Sequence, residues 1–186
     1  MNKNKRRIVF LDVDGVLNND REFDRWRSWN LDEPLPGESK DITWCIDTKN
    51  VEQLNRIIKE THCTIVVTST WRTLMPLQTL DRHLRKFGFT GPELLDKTIE
   101  GDYCAGGWGG WGGSRSYCPR YKEINHWLLT HEGEYDSYVI LDDILEADNQ
   151  QGRYVQTWES HGLTKEKADE VIKSFRAQET NSLKGK

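Results

Sequence analysis

The sequence is poor in the features that mark zinc-binding modules and membrane proteins. Its 186 residues include four cysteines, none in a CxxC pair and none beside histidines in zinc-finger spacing. This spacing excludes a zinc finger and predicts free thiols in a reducing compartment. The longest apolar runs, such as Ile8–Leu11, are far shorter than the roughly 20 residues of a membrane span. We therefore expect no membrane contact.

Positive charge is also scarce. The chain has 26 Lys and Arg residues against 30 Asp and Glu residues, a net charge of −4. A protein that coats long nucleic acid must neutralise many phosphates, so a net negative charge argues against that function. It does not exclude a few phosphate contacts in one pocket. The basic N-terminus, MNKNKRR, leads into a strand-like run and then acidic residues, so no signal peptide is predicted and a cytoplasmic location is expected.

Short apolar runs alternate with helical patterns along the chain. This alternation predicts an α/β fold, a largely parallel sheet flanked by helices. The predicted strands cover residues 8–11, 64–67, 138–141 and 154–155. The predicted helices begin at Asp47 or Thr48, near Pro76, after Pro119 and near Lys165, and the last of them ends near Ala177.

The same pattern predicts the domain organisation. Residues 1–186 are expected to form one domain, with small flap or cap insertions at about 18–46 and 88–118. The second insertion contains the glycine-rich segment GDYCAGGWGGWGG at 101–113, which is typical of a loop. The C-terminal residues 178–186 are predicted to be disordered.

Polar residues of particular kinds follow three of the predicted strands. Asp12 and Asp14 follow the first, Thr68 and Ser69 the second, and Asp142 and Asp143 the third. Since the carboxyl ends of parallel strands line one crevice, four acids and two hydroxyls are expected at a single edge. Carboxylates packed so closely repel one another, and a divalent cation relieves that repulsion. Oxygen ligands without His or Cys favour Mg²⁺, which can also hold a phosphate.

The Asp12–Gly15 motif has other interpretations when it is taken alone. It could be a turn, a calcium loop or the metal motif of a sugar-nucleotide enzyme. A calcium loop requires its glycine three residues after the second acid, which does not fit Gly15. The second acidic pair, Asp142–Asp143, again directly after an apolar run, favours a phosphate site built by several strands.

Four motifs resemble those of the haloacid dehalogenase (HAD) superfamily of phosphohydrolases, in that family's order. They are VFLDVDGVLN at 9–18, IVVTSTWR at 65–72, PRYKEI at 119–124 and VILDDI at 139–144. With HGLT at 161–164, they are more narrowly similar to the HAD domains of RNA-repair proteins, relatives of the phosphatase half of polynucleotide kinase-phosphatases. The chain contains no GxxxxGK[ST] phosphate loop of a kinase half. The resemblance implies a HAD-type Rossmann-like fold and a bacterial or phage-infected host cell as the setting.

The resemblance also implies a role for each strand-end residue. Asp12 would be the nucleophile that forms an aspartyl-phosphate, and Asp14 the general acid and base. Thr68 or Ser69 would hydrogen-bond a phosphoryl oxygen, and Arg120 or Lys122 would supply positive charge, with Arg120 favoured by the RxxEI pattern. The implied Mg²⁺ ligands are Asp12, the backbone carbonyl of Asp14, Asp142 and Asp143.

Tryptophan is abundant near these motifs, with eight residues in the chain. Trp71 and Arg72 lie just after the hydroxyl pair, and Trp108 and Trp111 lie in the glycine-rich segment, so all four are predicted to contact the substrate. An aromatic ring and a guanidinium suit a base and a phosphate, as in a nucleotide or a phosphorylated nucleic-acid end. For Arg72, a structural salt bridge is the equal alternative.

The predicted function is therefore Mg²⁺-dependent hydrolysis of a phosphomonoester, on nucleotides or on nucleic-acid ends as a 3′-phosphatase does. No obligate protein partner is inferred. One rival is a metal-dependent DxD sugar-nucleotide enzyme, which would need neither Asp142–Asp143 nor a hydroxyl strand end. The other is a HAD-like module that binds a phosphorylated ligand without catalysis, and the presence of both Asp12 and Asp14 argues against it.

Overall fold

A five-stranded parallel sheet forms the centre of the protein, as seen in a computed structural model. The structure describes residues 5–22, 24, 46–99, 119–144 and 153–184. The strands are β1 (Arg6–Leu11), β2 (Thr64–Val67), β3 (Asp96–Lys97), β4 (Tyr135–Asp142) and β5 (Tyr154–Gln156), in the spatial order β3-β2-β1-β4-β5. The helices are α1 (Thr48–Thr61), α2 (Trp71–Leu74), α3 (Leu77–Lys86), α4 (Arg120–Thr130) and α5 (Lys165–Lys184). The predicted α/β class and parallel sheet are confirmed.

Alternate residues of the central strand enter two separate cores. Val9 and Leu11 of β1 pack with α1, α3 and α5 on one face, whereas Ile8 and Phe10 pack with α4 on the other. Side chains alternate between the faces of a strand, so a strand covered on both sides is apolar throughout. This explains why the buried strands appear in the sequence as continuous apolar runs.

Local signals in the sequence set several helix ends. The Asp47 side chain accepts a hydrogen bond from the backbone N–H of Lys49 at 2.8 Å, which caps α1. Pro76 precedes α3, and Gly88, with φ of +92°, ends the turn after it. Buried Cys63 follows α1, and its thiol is free, as predicted. Burial raises the pKa of that thiol to about 11, so it is unreactive at neutral pH.

Two predicted boundaries differ from the structure. α5 runs to Lys184 rather than ending near Ala177, and the Gln178 amide donates to the Tyr138 carbonyl at 2.9 Å, whereas the disorder expected at 178–186 stays a prediction. The segment that follows residue 88, where an insertion is expected, begins with residues of the hydrophobic core. Phe89 and Leu94 are buried and lead into β3. Most of the flap segment 18–46 and the rest of 88–118 lie outside the described residues.

Within the part of the chain that the structure describes, no helix is long and apolar enough to cross a membrane.

The turn after β5 packs closely on the loop after β1. Gly162 has φ of +64°, and a Cβ added there would lie 2.6 Å from the Val16 carbonyl oxygen and 2.1 Å from the Asn50 amide nitrogen. The Leu163 N–H donates to the same Val16 carbonyl at 2.8 Å. Glycine is therefore required at 162 both for its backbone conformation and for the close approach of the two loops.

We predict that Gly162→Ala lowers the free energy of unfolding by about 3 kcal/mol, because it adds a backbone clash to the left-handed conformation. The matched control is Gly133→Ala, where φ is +85° and nothing lies within 4 Å of the added Cβ, so about 1 kcal/mol is expected. Urea unfolding of the two variants measures the difference. Equal losses would show that the two loops separate without cost.

Candidate active site

Three carboxylates meet at the carboxyl edge of the sheet. Asp12 follows β1, Asp142 ends β4 and Asp143 comes next, and one oxygen of each lies within 4.8 Å of the others. Asp12 and Asp142 are buried, and Asp143 is partly buried. The sequence predicted this convergence, and it results from the register that pairs Leu11 of β1 with Leu141 of β4.

Arg120 is the cation that faces this cluster. Its Nη1 lies 3.0 Å from Asp12 Oδ1 and 3.3 Å from Asp142 Oδ2. The residue opens α4 directly after Pro119, so the helix start aims its side chain at the strand ends. Lys122, the predicted alternative, is exposed. Of the two, Arg120 is the residue that the structure brings to the carboxylates.

Burial, and after it the charge of Asp12, raises the pKa of Asp142 to about 7, while Arg120 opposes the rise. Burial and Asp12 raise the pKa of Asp143 as well. The cluster thus carries more negative charge than one guanidinium balances. Three convergent carboxylate oxygens without nitrogen or sulfur form a donor set that suits a hard divalent cation, and the cluster could hold one.

Asp14 is held by two side chains, one from its own motif and one from the helix after β2. Its Oδ1 accepts from the Asn18 amide at 2.7 Å, and both of its carboxylate oxygens accept from the Trp71 indole N–H, at 3.0 and 3.1 Å. Burial is the largest influence on Asp14 and raises its pKa, while these two hydrogen bonds oppose the rise. A carboxyl fixed in this way is suited to give and take a proton.

Gly15 allows the chain to turn directly after Asp14. Its φ is +67°, and an added Cβ would lie 2.4 Å from Asp143 Oδ2, so only glycine fits. The Gly15 N–H donates to Asn18 Oδ1 at 2.8 Å, and its carbonyl accepts from the Thr157 hydroxyl at 2.8 Å. Asn18 and Thr157 thereby fix the loop that carries Asp12 and Asp14.

The two hydroxyls after β2 differ in their contacts. Ser69 Oγ accepts from the Trp71 backbone N–H at 3.3 Å, as expected at the start of a helix. The Thr68 hydroxyl is buried, and it has no hydrogen-bond partner among the residues that the structure describes. A buried hydroxyl without a partner is costly, so Thr68 is the better candidate to bind a phosphoryl oxygen.

Arg72 lies inside the protein rather than at a substrate surface. Its guanidinium donates to the carbonyls of Thr68, Ser69 and Thr98 and forms an ion pair with Glu123 at 2.6 Å, and its side chain is only 5% exposed. Of the two interpretations of Arg72, this geometry supports the salt bridge. Burial raises the pKa of Glu123, and Arg72 is the strongest influence against that rise.

Trp71 is also buried, and its indole donates to Asp14 instead of presenting a face to a base. The structure therefore places Trp71 and Arg72 inside the protein, where each contacts other residues of the site. Trp108 and Trp111 lie outside the described residues, and their roles stay predictions.

Sequence reasoning missed three residues that shape this site. Asn18 closes the first motif, four residues after Asp14, a spacing that suits a side chain turning back onto the loop. Glu123 is the acid of the PRYKEI motif and the partner of Arg72. Thr157 has no local signal, because its partner Gly15 lies 142 residues away.

A family model described as the HAD domain in Swiss Army Knife RNA repair proteins matches residues 8–168. The match begins in β1 and ends in α5, so it includes all of the acidic cluster and most of the 186 residues. No curated protein and no solved structure matches the chain.

We predict that divalent metal binding tightens as pH rises towards 7. Because the pKa of Asp142 is raised to about 7, its carboxyl holds a proton in the metal-free protein below that pH, and a metal must displace it. The apparent Kd should fall by up to about tenfold per pH unit between pH 5.5 and 7, then level off. Titration calorimetry with Mg²⁺ and with Mn²⁺ measures this slope.

The same titration of Asp142→Asn should show weaker binding without the slope. Asp136→Asn is the matched control, because Asp136 is an exposed carboxyl near the amino end of β4. A Kd for the unaltered protein that stays constant from pH 5.5 to 7 would contradict the assignment of Asp142 as a ligand.

Proposed function

Since the chain belongs to the family of HAD domains in Swiss Army Knife RNA repair proteins, we propose that it is a Mg²⁺-dependent phosphomonoester hydrolase. The observation that carries the proposal is the contrast between two carboxyls on the loop after β1. Asp12 lies in the carboxylate cluster, 3.0 Å from the Arg120 guanidinium. Asp14, two residues further on, has a raised pKa and two fixed hydrogen-bond donors. One acts as nucleophile and the other as acid.

In the first step, a carboxylate oxygen of Asp12 attacks phosphorus. The new O–P bond forms as the bond from phosphorus to the leaving oxygen breaks. Protonated Asp14 transfers its proton to that leaving oxygen, so the product departs as an alcohol. The products are an aspartyl-phosphate and a free hydroxyl.

In the second step, water attacks the phosphorus of the aspartyl-phosphate. Asp14, now a carboxylate, accepts a proton from the water while the O–P bond to Asp12 breaks. Inorganic phosphate leaves, and both carboxyls return to their starting states. The indole of Trp71 and the amide of Asn18 hold Asp14 in place for both transfers.

Arg120 and Thr68 are the groups that would bind the transferring phosphoryl. Arg120 provides a fixed positive charge beside Asp12, and the Thr68 hydroxyl provides a buried donor. Asp12, Asp142 and Asp143 would hold Mg²⁺. When bound, the ion offsets the repulsion between a carboxylate nucleophile and a phosphate dianion.

The substrate we propose is a phosphorylated nucleic-acid end, with the 3′-phosphate as the specific candidate. The support is the family, whose members are described as RNA-repair domains. An enzyme that acts on an end needs few phosphate contacts, which agrees with a net charge of −4.

We predict release of inorganic phosphate from a 3′-phosphorylated oligonucleotide in the presence of Mg²⁺. The panel also contains 5′-phosphorylated oligonucleotides, mononucleotides and an aryl phosphate, each assayed with Mg²⁺ and with EDTA. EDTA should abolish release, and Asp12→Asn should lower it by about 10⁴-fold or more, because an amide is a poor nucleophile.

The panel separates the proposal from its rivals. Release of phosphate only from the small substrates would support the phosphomonoester hydrolase but reject a nucleic-acid end as its substrate. Cleavage of a sugar nucleotide without phosphate release would indicate a DxD enzyme. No release from any member, together with tight binding of a phosphorylated ligand, would indicate a binding module.

We predict that Trp71→Phe lowers kcat/KM by about tenfold and shifts its alkaline limb to higher pH. The substitution removes the indole N–H that lowers the pKa of Asp14, so the acid stays protonated to a higher pH. The pH profile of kcat/KM measures the shift.

Trp127→Phe is the matched control, because Trp127 is also buried and its indole donates to another carboxylate, Asp96, at 2.6 Å. Its profile should equal that of the unaltered enzyme. If both variants lose activity equally with no shift of the limb, Trp71 acts only through packing.

A further inference from the structure

Exposed apolar side chains gather at the edge of the sheet that carries the site. Among the described residues, five large hydrophobic side chains are exposed. Ile99, Ile144 and Trp158 each lie two residues beyond the end of a strand, and Leu74 ends the short helix after β2. The fifth, Leu129, lies near the end of α4, where the chain turns towards the amino end of β4. The rim of the site is thus more apolar than its acidic centre.

Trp158 is the aromatic member of this group, and its side chain is 59% exposed. Its position is fixed by the residue before it. The Thr157 N–H donates to the Asp142 carbonyl at 3.0 Å, and the Thr157 hydroxyl donates to the Gly15 carbonyl at 2.8 Å. Consecutive Cα atoms are about 3.8 Å apart, so the Trp158 backbone lies one residue from both acidic loops.

The turn that carries Trp158 is also held on its other side. The Trp158 carbonyl accepts hydrogen bonds from the N–H groups of His161 at 2.9 Å and Gly162 at 2.8 Å. Gly162 in turn packs on the loop after β1, next to the Val16 carbonyl. A large aromatic side chain is therefore exposed from a rigid backbone, which costs little further entropy when a ligand packs on it.

The charge around Trp158 defines what it can bind. Glu159 follows it and is exposed, and the Asp142–Asp143 pair lies at the end of the neighbouring strand. A phosphate is repelled by such surroundings, whereas the flat face of a neutral base is not. Stacking on an aromatic ring also accepts any base, because every base has a π-face.

We propose that Trp158 is the stacking platform for the base of the nucleotide that carries the scissile phosphate. The proposal rests on the function proposed above and refines its substrate class: the enzyme takes an unpaired terminal nucleotide, with little preference for the identity of its base. Trp158 is thus a residue that determines specificity for nucleotides over other phosphate esters.

The test is a double-mutant cycle in which the indole is removed from the protein and the base is removed from the substrate, each alone and both together. The substrates are a single-stranded oligonucleotide with a 3′-phosphate and the same oligonucleotide with an abasic terminal nucleotide. We expect Trp158→Ala to raise KM for the first substrate by about tenfold or more, with a much smaller change in kcat. Removing the base should raise KM of the unaltered enzyme by a similar factor but have little further effect on Trp158→Ala.

Two further variants guard against a general effect. Trp158→Phe keeps an aromatic face and should recover most of the affinity. Leu129→Ala removes an exposed apolar side chain from a site remote from the acidic cluster and should leave KM unchanged. Equal losses on base-bearing and abasic substrates, or no loss on either, would overturn the proposal.

A binding measurement separates this proposal from the proposed function. Fluorescence anisotropy of the dye-labelled oligonucleotide is recorded with Asp12→Asn, which does not turn over, and with Asp12→Asn combined with Trp158→Ala. A Kd about tenfold weaker in the double variant, with this difference lost on the abasic oligonucleotide, supports base stacking even if no phosphate is released. An unchanged Kd beside normal phosphate release would reject the platform and leave the hydrolase intact.

Discussion

The main constraint on the site is the repulsion among the carboxylates of Asp12, Asp142 and Asp143. Their oxygens lie within 4.8 Å of one another in a largely buried position, where charge is costly. Arg120 balances part of that charge, and the cluster could hold a metal ion that balances the remainder. The two apolar cores, one on each face of the sheet, hold β1 and β4 side by side behind this edge.

Arg120 reaches the carboxylates of Asp12 and Asp142 only if α4 is fixed against the strand ends. The buried pair between Arg72 and Glu123 provides this fixation, because Glu123 lies one turn after Arg120. Arg72 also donates to the carbonyls of Thr68 and Ser69, so one guanidinium joins the turn after β2 to the helix that bears Arg120. Its role is to hold both elements at one spacing, which a substrate contact at the surface could not do.

The strands and the edge at which the acids meet could be predicted from the sequence, because both follow from local patterns. Apolar runs ending in Asp12 and in Asp142 indicate buried parallel strands, and parallel strands place their carboxyl ends together. The family that the four motifs indicated is confirmed over residues 8–168. The short strand β3 was not predicted, since Asp96 and Lys97 carry no apolar pattern.

The roles of the tryptophans could not be predicted, because exposure depends on packing between distant segments. Trp71 lies two residues after Ser69, a position that suggested substrate contact. Its ring is nevertheless buried, and its indole N–H donates to Asp14. Trp158 stands in no motif, and it is the tryptophan that the described part of the chain leaves exposed. The sequence showed tryptophans close to the motifs. It could not show which of their rings face solvent.

The hydrogen bond between Thr157 and Gly15 has a consequence for the order in which the protein folds. It joins residues 142 positions apart, so the loop that bears Asp12 and Asp14 is completed by a segment that is synthesised 142 residues later. Contacts of such long range form late, because closing the intervening loop is entropically costly. During translation, the first strand and its acids must wait for β5 and the turn after it to emerge. A chain truncated before residue 157 therefore carries Asp12, Asp14, Asp142 and Asp143 yet lacks the contact that gives the first loop its shape.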